Sequence, residues 1–234
     1  PRLHARSSQR ALTPGMAHPQ DRAAMTFLYR LDTSAELAAR TLGADPERDP
    51  WDGGYATPGC FAPVVLRGRD GKRRLAPRLW GVPPPPGAML AGEPPVAHVR
   101  NLDSPFWIGS LRHTEYRCLI PATSFQLWSQ TPDPRTGKRT PCRFRVADEP
   151  VFAMAGLCRD SEVPSFALLT CEPNRLVTSV NPRTMPVILH RADHDRWLRA
   201  DWKEARRLVE AFPSQLMALN APIVTDSPAG PALS

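Results

Sequence analysis

With 234 residues, 41% of them hydrophobic and six of them Trp, the chain can bury one substantial core and is short for two. Its 28 Pro argue against long helices and for a loop-rich, strand-rich body. The net charge of +7 suits nucleic acid as a partner, and it suits solubility alone just as well.

The five Cys (Cys60, Cys118, Cys142, Cys158 and Cys171) are odd in number and widely spaced, with no C-x-x-C. That excludes a disulfide framework and a zinc site as first readings and points to a reducing, cytoplasmic compartment. No apolar run approaches the roughly 18 residues of a spanning helix, so no membrane is expected. Residues 1–24 lack the apolar centre of a secretory signal and are rich in Arg, Ser and Pro. They read as a disordered extension, or as sequence upstream of a start at Met25. The domain is expected over 25–220, with a flexible tail over 221–234.

In chain order, Thr33-Ser34-Ala35-Glu36 reads as a capping box with Thr33 as the cap. It opens a short helix through Leu37, Ala38 and Leu42 that Gly43 ends. Residues 61–66 and 75–80 read as strands, and Asp70-Gly71 between them is a hairpin turn signal. Pro83 to Pro86 form a stiff polyproline step into a loop that ends near Val96. Further short strands are expected at 116–120, 125–128, 142–146, 151–157 and 165–170, with a polar turn over 132–139. Helical patterns return at 192–198 and 201–212, the second opened by Asp201 and Glu204. This order predicts an α+β fold with an antiparallel sheet system and peripheral helices.

Three phrases stand in a fixed order: Val99-Arg100-Asn101-Leu102-Asp103-Ser104-Pro105-Phe106-Trp107, Cys118-Leu119-Ile120-Pro121-Ala122-Thr123-Ser124-Phe125, and Met185-Pro186-Val187-Ile188-Leu189. Together they resemble the SRAP family, the SOS-response-associated peptidases or abasic-site processing proteins, from about Met25 to Trp202. The resemblance implies a single domain of curved, mainly antiparallel sheets, barrel-like, and a DNA-damage role on single-stranded DNA. It also implies an amino-terminal Cys whose amine and thiol trap the aldehyde of an abasic site as a thiazolidine. A site Asn, a Glu in Phe-x-Glu-Trp and a His before Met-Pro-Val-Ile-Leu assist. No cofactor or metal is implied, and a monomer is expected.

Carried over by residue, the resemblance is uneven. Met25-Thr26-Phe27-Leu28-Tyr29-Arg30 is similar to Met-Cys-Asn-Leu-Tyr-Arg, which puts Thr26 at the Cys. Asn101 matches the site Asn. Phe125-Gln126-Leu127-Trp128 puts Leu127 at the Glu, and Val180-Asn181-Pro182 puts Asn181 at the His. A Thr hydroxyl is scarcely ionised at neutral pH, whereas a Cys already holds some thiolate. Leu127 carries no exchangeable proton. Asn181 hydrogen-bonds but cannot change charge as His does. One residual route survives: a free amine on Thr26, with a reference pKa of about 7.7–8.0, condenses with an aldehyde.

Candidate DNA contacts are Arg78, Arg100 and Arg117 for phosphates, Trp80 for stacking on a base, and Thr170 at a strand end. Against these stand bland readings: Trp80 as a core aromatic, the arginines as solvated surface charge, Thr170 as structural capping. His190 and His194 at i, i+4 lack a third metal ligand. The expected function is recognition of single-stranded or abasic DNA with cross-linking and autopeptidase chemistry impaired, a pseudoenzyme. The rivals are an active abasic-site enzyme using the Thr26 amine in Schiff-base or lyase chemistry, and a non-catalytic interaction module.

Overall fold

Alternation of apolar and polar residues builds the first sheet. The computed structural model describes residues 27–220. Five strands, β1 (Leu28–Leu31), β2 (Gly54–Ala56), β7 (Ser124–Trp128), β8 (Pro141–Val146) and β13 (Met217–Asn220), pair antiparallel in the order β13-β8-β7-β1-β2. In β8, Cys142, Phe144 and Val146 turn inward while Arg143 and Arg145 face out. That two-residue period is what leaves one face of an antiparallel sheet wet.

The second sheet is buried on both faces along its central strands. It contains β3 (Phe61–Arg67), β4 (Arg73–Trp80), β5 (His98–Val99), β6 (Arg117–Ala122), β9 (Phe152–Arg159), β10 (Ser165–Cys171), β11 (Met185–Pro186) and β12 (Ile188–Leu189). In β9 the side chains alternate between two cores: Phe152, Met154 and Cys158 pack toward the first sheet, Ala153, Ala155 and Leu157 toward the helices. A strand buried on both faces reads as a continuous apolar run, which is what Val151 to Cys158 supplies. Gly156 has to be Gly, because a Cβ there would lie 2.7 Å from Cys118 Sγ. The strands β4, β3, β6, β9 and β10 pair around a ring, closed where Ser165 and Phe166 run parallel to Leu79 and Trp80. This short closure makes a ring of pairings and not a true barrel.

Helices cover the outer face. Helix α1 (Ala35–Thr41) is capped by Ser34, whose Oγ accepts from Leu37 N at 3.3 Å, one residue after the expected Thr33. It ends as expected at Gly43, φ 63°, where Ala44 N donates to Ala39 O at 2.8 Å. The short α2 (Pro86–Leu90) interrupts the Pro-rich loop. Helix α3 (Pro105–Arg112), not expected from the sequence, takes Ser104 as cap and Pro105 in its first turn, and buries Trp107 and Leu111. A four-residue α4 (Arg175–Thr178) follows β10. Helix α5 (His194–Arg199) buries Trp197 and Leu198.

The helix expected over 201–212 shrinks to α6 (Trp202–Arg206). Leu208 belongs to the helix-side core and Phe212 to the sheet-side core. Continued helix would set residues four apart on one face, so it could not send these two into different cores. No helix among the described residues is long and apolar enough to cross a membrane. The extension over 1–24 and the tail over 221–234 lie outside the described residues.

Candidate functional site

A pocket of about 220 Å³ opens where the end of β7, strand β5 and the loop before β11 meet. Pleating decides who lines it. On β7, Phe125 and Leu127 point inward, and Leu127 reaches the pocket while only 4% exposed. On β5, which runs parallel to β10, His98 lies opposite Leu168 and Val99 opposite Leu169. His98 therefore faces the pocket, Val99 the helix-side core, and Arg100 returns to the pocket rim.

Hydrogen bonds set the opposite wall. Asn174 caps α4 by accepting from Val177 N at 2.9 Å, and Asn181 N donates to Val177 O at 2.8 Å. Gln130 N donates to Val180 O at 3.1 Å and ties this loop to the exit of β7. Asn181 Oδ1 accepts from Arg183 N at 3.0 Å. The hydroxyls of Thr170 and Thr184 donate to Val99 O at 3.4 Å and Cys171 O at 3.1 Å.

Three cations, Arg100, Arg139 and Arg183, line the pocket, and among the described residues no carboxylate does. Glu172 approaches from outside, accepting from Arg100 Nη2 at 3.2 Å with both side chains largely exposed. His98 sits edge-on to Phe27 and Trp80 at 5.7 and 5.8 Å between ring centroids. Its Nε2 is buried with no partner among the described residues. Burial pushes the imidazole pKa down to about 4, so the ring is neutral at physiological pH.

The residues singled out from the sequence divide. Leu127, Asn181, Arg100 and Thr170 meet in this pocket. Thr26 lies outside the described residues, although its neighbour Phe27 lines the pocket. Asn101 is exposed and absent from the described lining; its Oδ1 accepts from Asp103 N at 3.0 Å and shapes the turn into α3.

Three of the expected DNA contacts lie away from this pocket. Trp80 is fully buried, stacked on Phe166 at 5.9 Å, with its indole N–H given to Ala97 O at 2.9 Å, so no base can reach it. Arg117 is fully buried as well. It donates to Leu111 O at 3.0 Å, Trp197 O at 3.1 Å and Ala200 O at 2.7 Å, which caps the carbonyl ends of α3 and α5 rather than a phosphate. Arg78 pairs with Asp160 in a separate groove. Sequence reasoning missed His98, Phe27, Trp128, Gln130, Arg139, Arg183 and Thr184. The alternation His98, Val99, Arg100 was the available signal, since two polar residues flank one apolar residue at strand period.

A mixed α+β body of two packed sheets, with a cation-rimmed pocket at the end of β7, defines the class; the profile of the family described as SOS response associated peptidase (SRAP) matches residues 25–225, and the chain belongs to that family. It is similar to the abasic site processing protein YoqW of Bacillus subtilis (strain 168), 35% identical over 88 residues that cover 35% of this chain and 38% of YoqW. It is also similar to the abasic site processing protein YoaM of the same organism, 36% identical over 88 residues, 35% of this chain and 37% of YoaM. The matched stretch thus spans little more than a third of each relative. Among solved structures, a Bacteroides thetaiotaomicron protein superposes with a TM-score of 0.67 at 17% identity, covering 82% of this chain and 90% of its own. A Bordetella bronchiseptica protein gives 0.65 at 21% identity, covering 82% and 97%. These two likenesses establish the fold alone.

Proposed function

We propose that this protein binds single-stranded DNA, including strands with abasic sites, while the family's covalent cross-linking and autopeptidase chemistry is disabled. The observation that carries this reading is the company Leu127 keeps. It occupies the wall where the family resemblance implies a carboxylate, beside Asn181 where it implies His, and the described lining offers no acid in exchange. General acid–base catalysis needs a group that gains or loses a proton near the working pH. Leu127 and Asn181 carry no group that titrates, and burial holds His98 neutral far below neutrality. Thr26 in place of Cys removes the thiolate that would make an aldehyde adduct permanent.

What remains suits binding. Arginine forks match phosphate oxygens, and Trp128, partly exposed in the lining, offers a ring on which a base stacks. The test is fluorescence anisotropy of a labelled single strand across a salt series. Binding should weaken linearly in log salt, by about 0.7 of a log unit per phosphate engaged. No binding at low salt would overturn the reading.

A further inference from the structure

The pocket lining mixes apolar side chains, Phe27, Leu127 and Trp128, with polar ones, among them Asn181, Gln130 and the neutral ring of His98, which packs edge-on to Phe27 at 5.7 Å. An abasic residue is a ring-opened or hydroxylated sugar, polar on every side, and an isobutyl and two aromatic rings give it nothing to bond. A planar heterocycle is the complementary object: its faces are apolar and its edge carries donors and acceptors.

Size agrees: a cavity of about 150 Å³ already admits a benzene ring, and this pocket of about 220 Å³ has room for a heterocycle. Leu127 is decisive here. A carboxylate at that position would need solvation or a charged partner and would disfavour an apolar face, whereas Leu127 adds an apolar side chain to a lining that already holds Phe27 and Trp128. The amides of Asn181 and Gln130 each present donors and an acceptor, the set that reads a base edge.

Resting on the single-strand reading above, we propose that the pocket of this chain receives an intact nucleobase, extruded from a single strand whose phosphates lie on Arg100, Arg139 and Arg183, and not an abasic sugar. The site has thereby changed ligand class from a reactive aldehyde to a stacked, hydrogen-bonded heterocycle.

The test compares two single strands of equal length and equal charge: an oligothymidine and a strand built wholly of tetrahydrofuran abasic analogues. Because the phosphates are the same, the difference isolates the base. The oligothymidine should bind on the order of tenfold more tightly at matched salt. Asn181→Ala, on a loop and not in the core, should narrow that gap, and Leu127→Glu should narrow it further. Equal affinities, or tighter binding of the base-free strand, overturn the nucleobase proposal while leaving the single-strand reading intact. If neither strand binds at low salt, the single-strand reading falls and takes this proposal with it.

Discussion

Two of the arginine-lined hollows among the described residues are built to different ends. The larger, about 1000 Å³, follows the β3–β4 hairpin and holds Arg67, Arg69, Arg74 and Arg78. It also holds Glu47, Asp70, Glu115 and Asp160. Arg74 pairs with Asp70 at 2.7 Å and Glu47 at 3.6 Å, Arg78 pairs with Asp160, and Arg67 donates to Thr114 Oγ1 at 3.0 Å. The smaller pocket has three arginines and no carboxylate in its described lining. Only Glu172 reaches Arg100, in a pair exposed enough for water and salt to screen it. A count of basic residues favours the hairpin groove; the carboxylates interleaved with them there, absent from the described lining of the pocket, favour the pocket.

Arg117 is the far extreme of arginine spent on the fold, and removing it should have the largest effect. Arg117→Ala strips three helix-end carbonyls of their donor and should cost about 3 kcal/mol. Urea denaturation measures the loss, while DNA binding by the folded fraction should be unchanged. A stable Arg117→Ala protein that has lost DNA binding would return this residue to the phosphate role the structure denies it.

The two hollows separate by charge reversal. Arg100→Glu with Arg139→Glu should weaken single-strand binding by at least about tenfold and flatten its salt slope. Arg69→Glu with Arg74→Glu, in the hairpin groove, should change binding less than about twofold. The reverse ranking in anisotropy titrations would move the DNA to the groove.

A smaller, pH-dependent effect involves one histidine from each side of the molecule. Burial holds His98 down to about 4; burial, then Arg73 and Arg191, hold His194 down to about 4. The unfolded chain titrates these groups near 6.5, so between about 6.5 and about 4 it binds more protons than the folded chain. Stability should therefore fall as pH drops through that window, with no further loss from these two below it. His194→Gln should remove part of the slope. A flat stability profile from pH 7 to pH 4 would contradict the neutral, buried assignment of both rings.

Local signals carried much of the fold. Asp70-Gly71 between two alternating runs placed the β3–β4 hairpin, and Gly43 placed the end of α1. What failed was long-range. Leu208 and Phe212 look like one helical face until two separate cores claim them. Arg117 precedes an apolar phrase and reads as surface charge, because nothing nearby in sequence announces that the carbonyls of Leu111, Trp197 and Ala200 converge on it. At the site, Leu127 and Asn181 were legible through their flanking phrases. Asn101 matched by phrase but turned outward, its carbonyl engaged by Asp103 N, while His98 three residues earlier took the pocket-facing position.

The central claim, a binding pocket without its covalent chemistry, is tested most directly on a denaturing gel. The protein is incubated with a single strand carrying a natural abasic site, then heated without reductant. No cross-linked band should survive, since neither a thiolate at position 26 nor a proton shuttle at Leu127 and Asn181 is present to make and hold the adduct. The triple variant Thr26→Cys, Leu127→Glu, Asn181→His, in a chain beginning at Met25, should restore a band, and the three changes should act non-additively as parts of one site. A heat-stable cross-link from the unaltered protein would contradict the account.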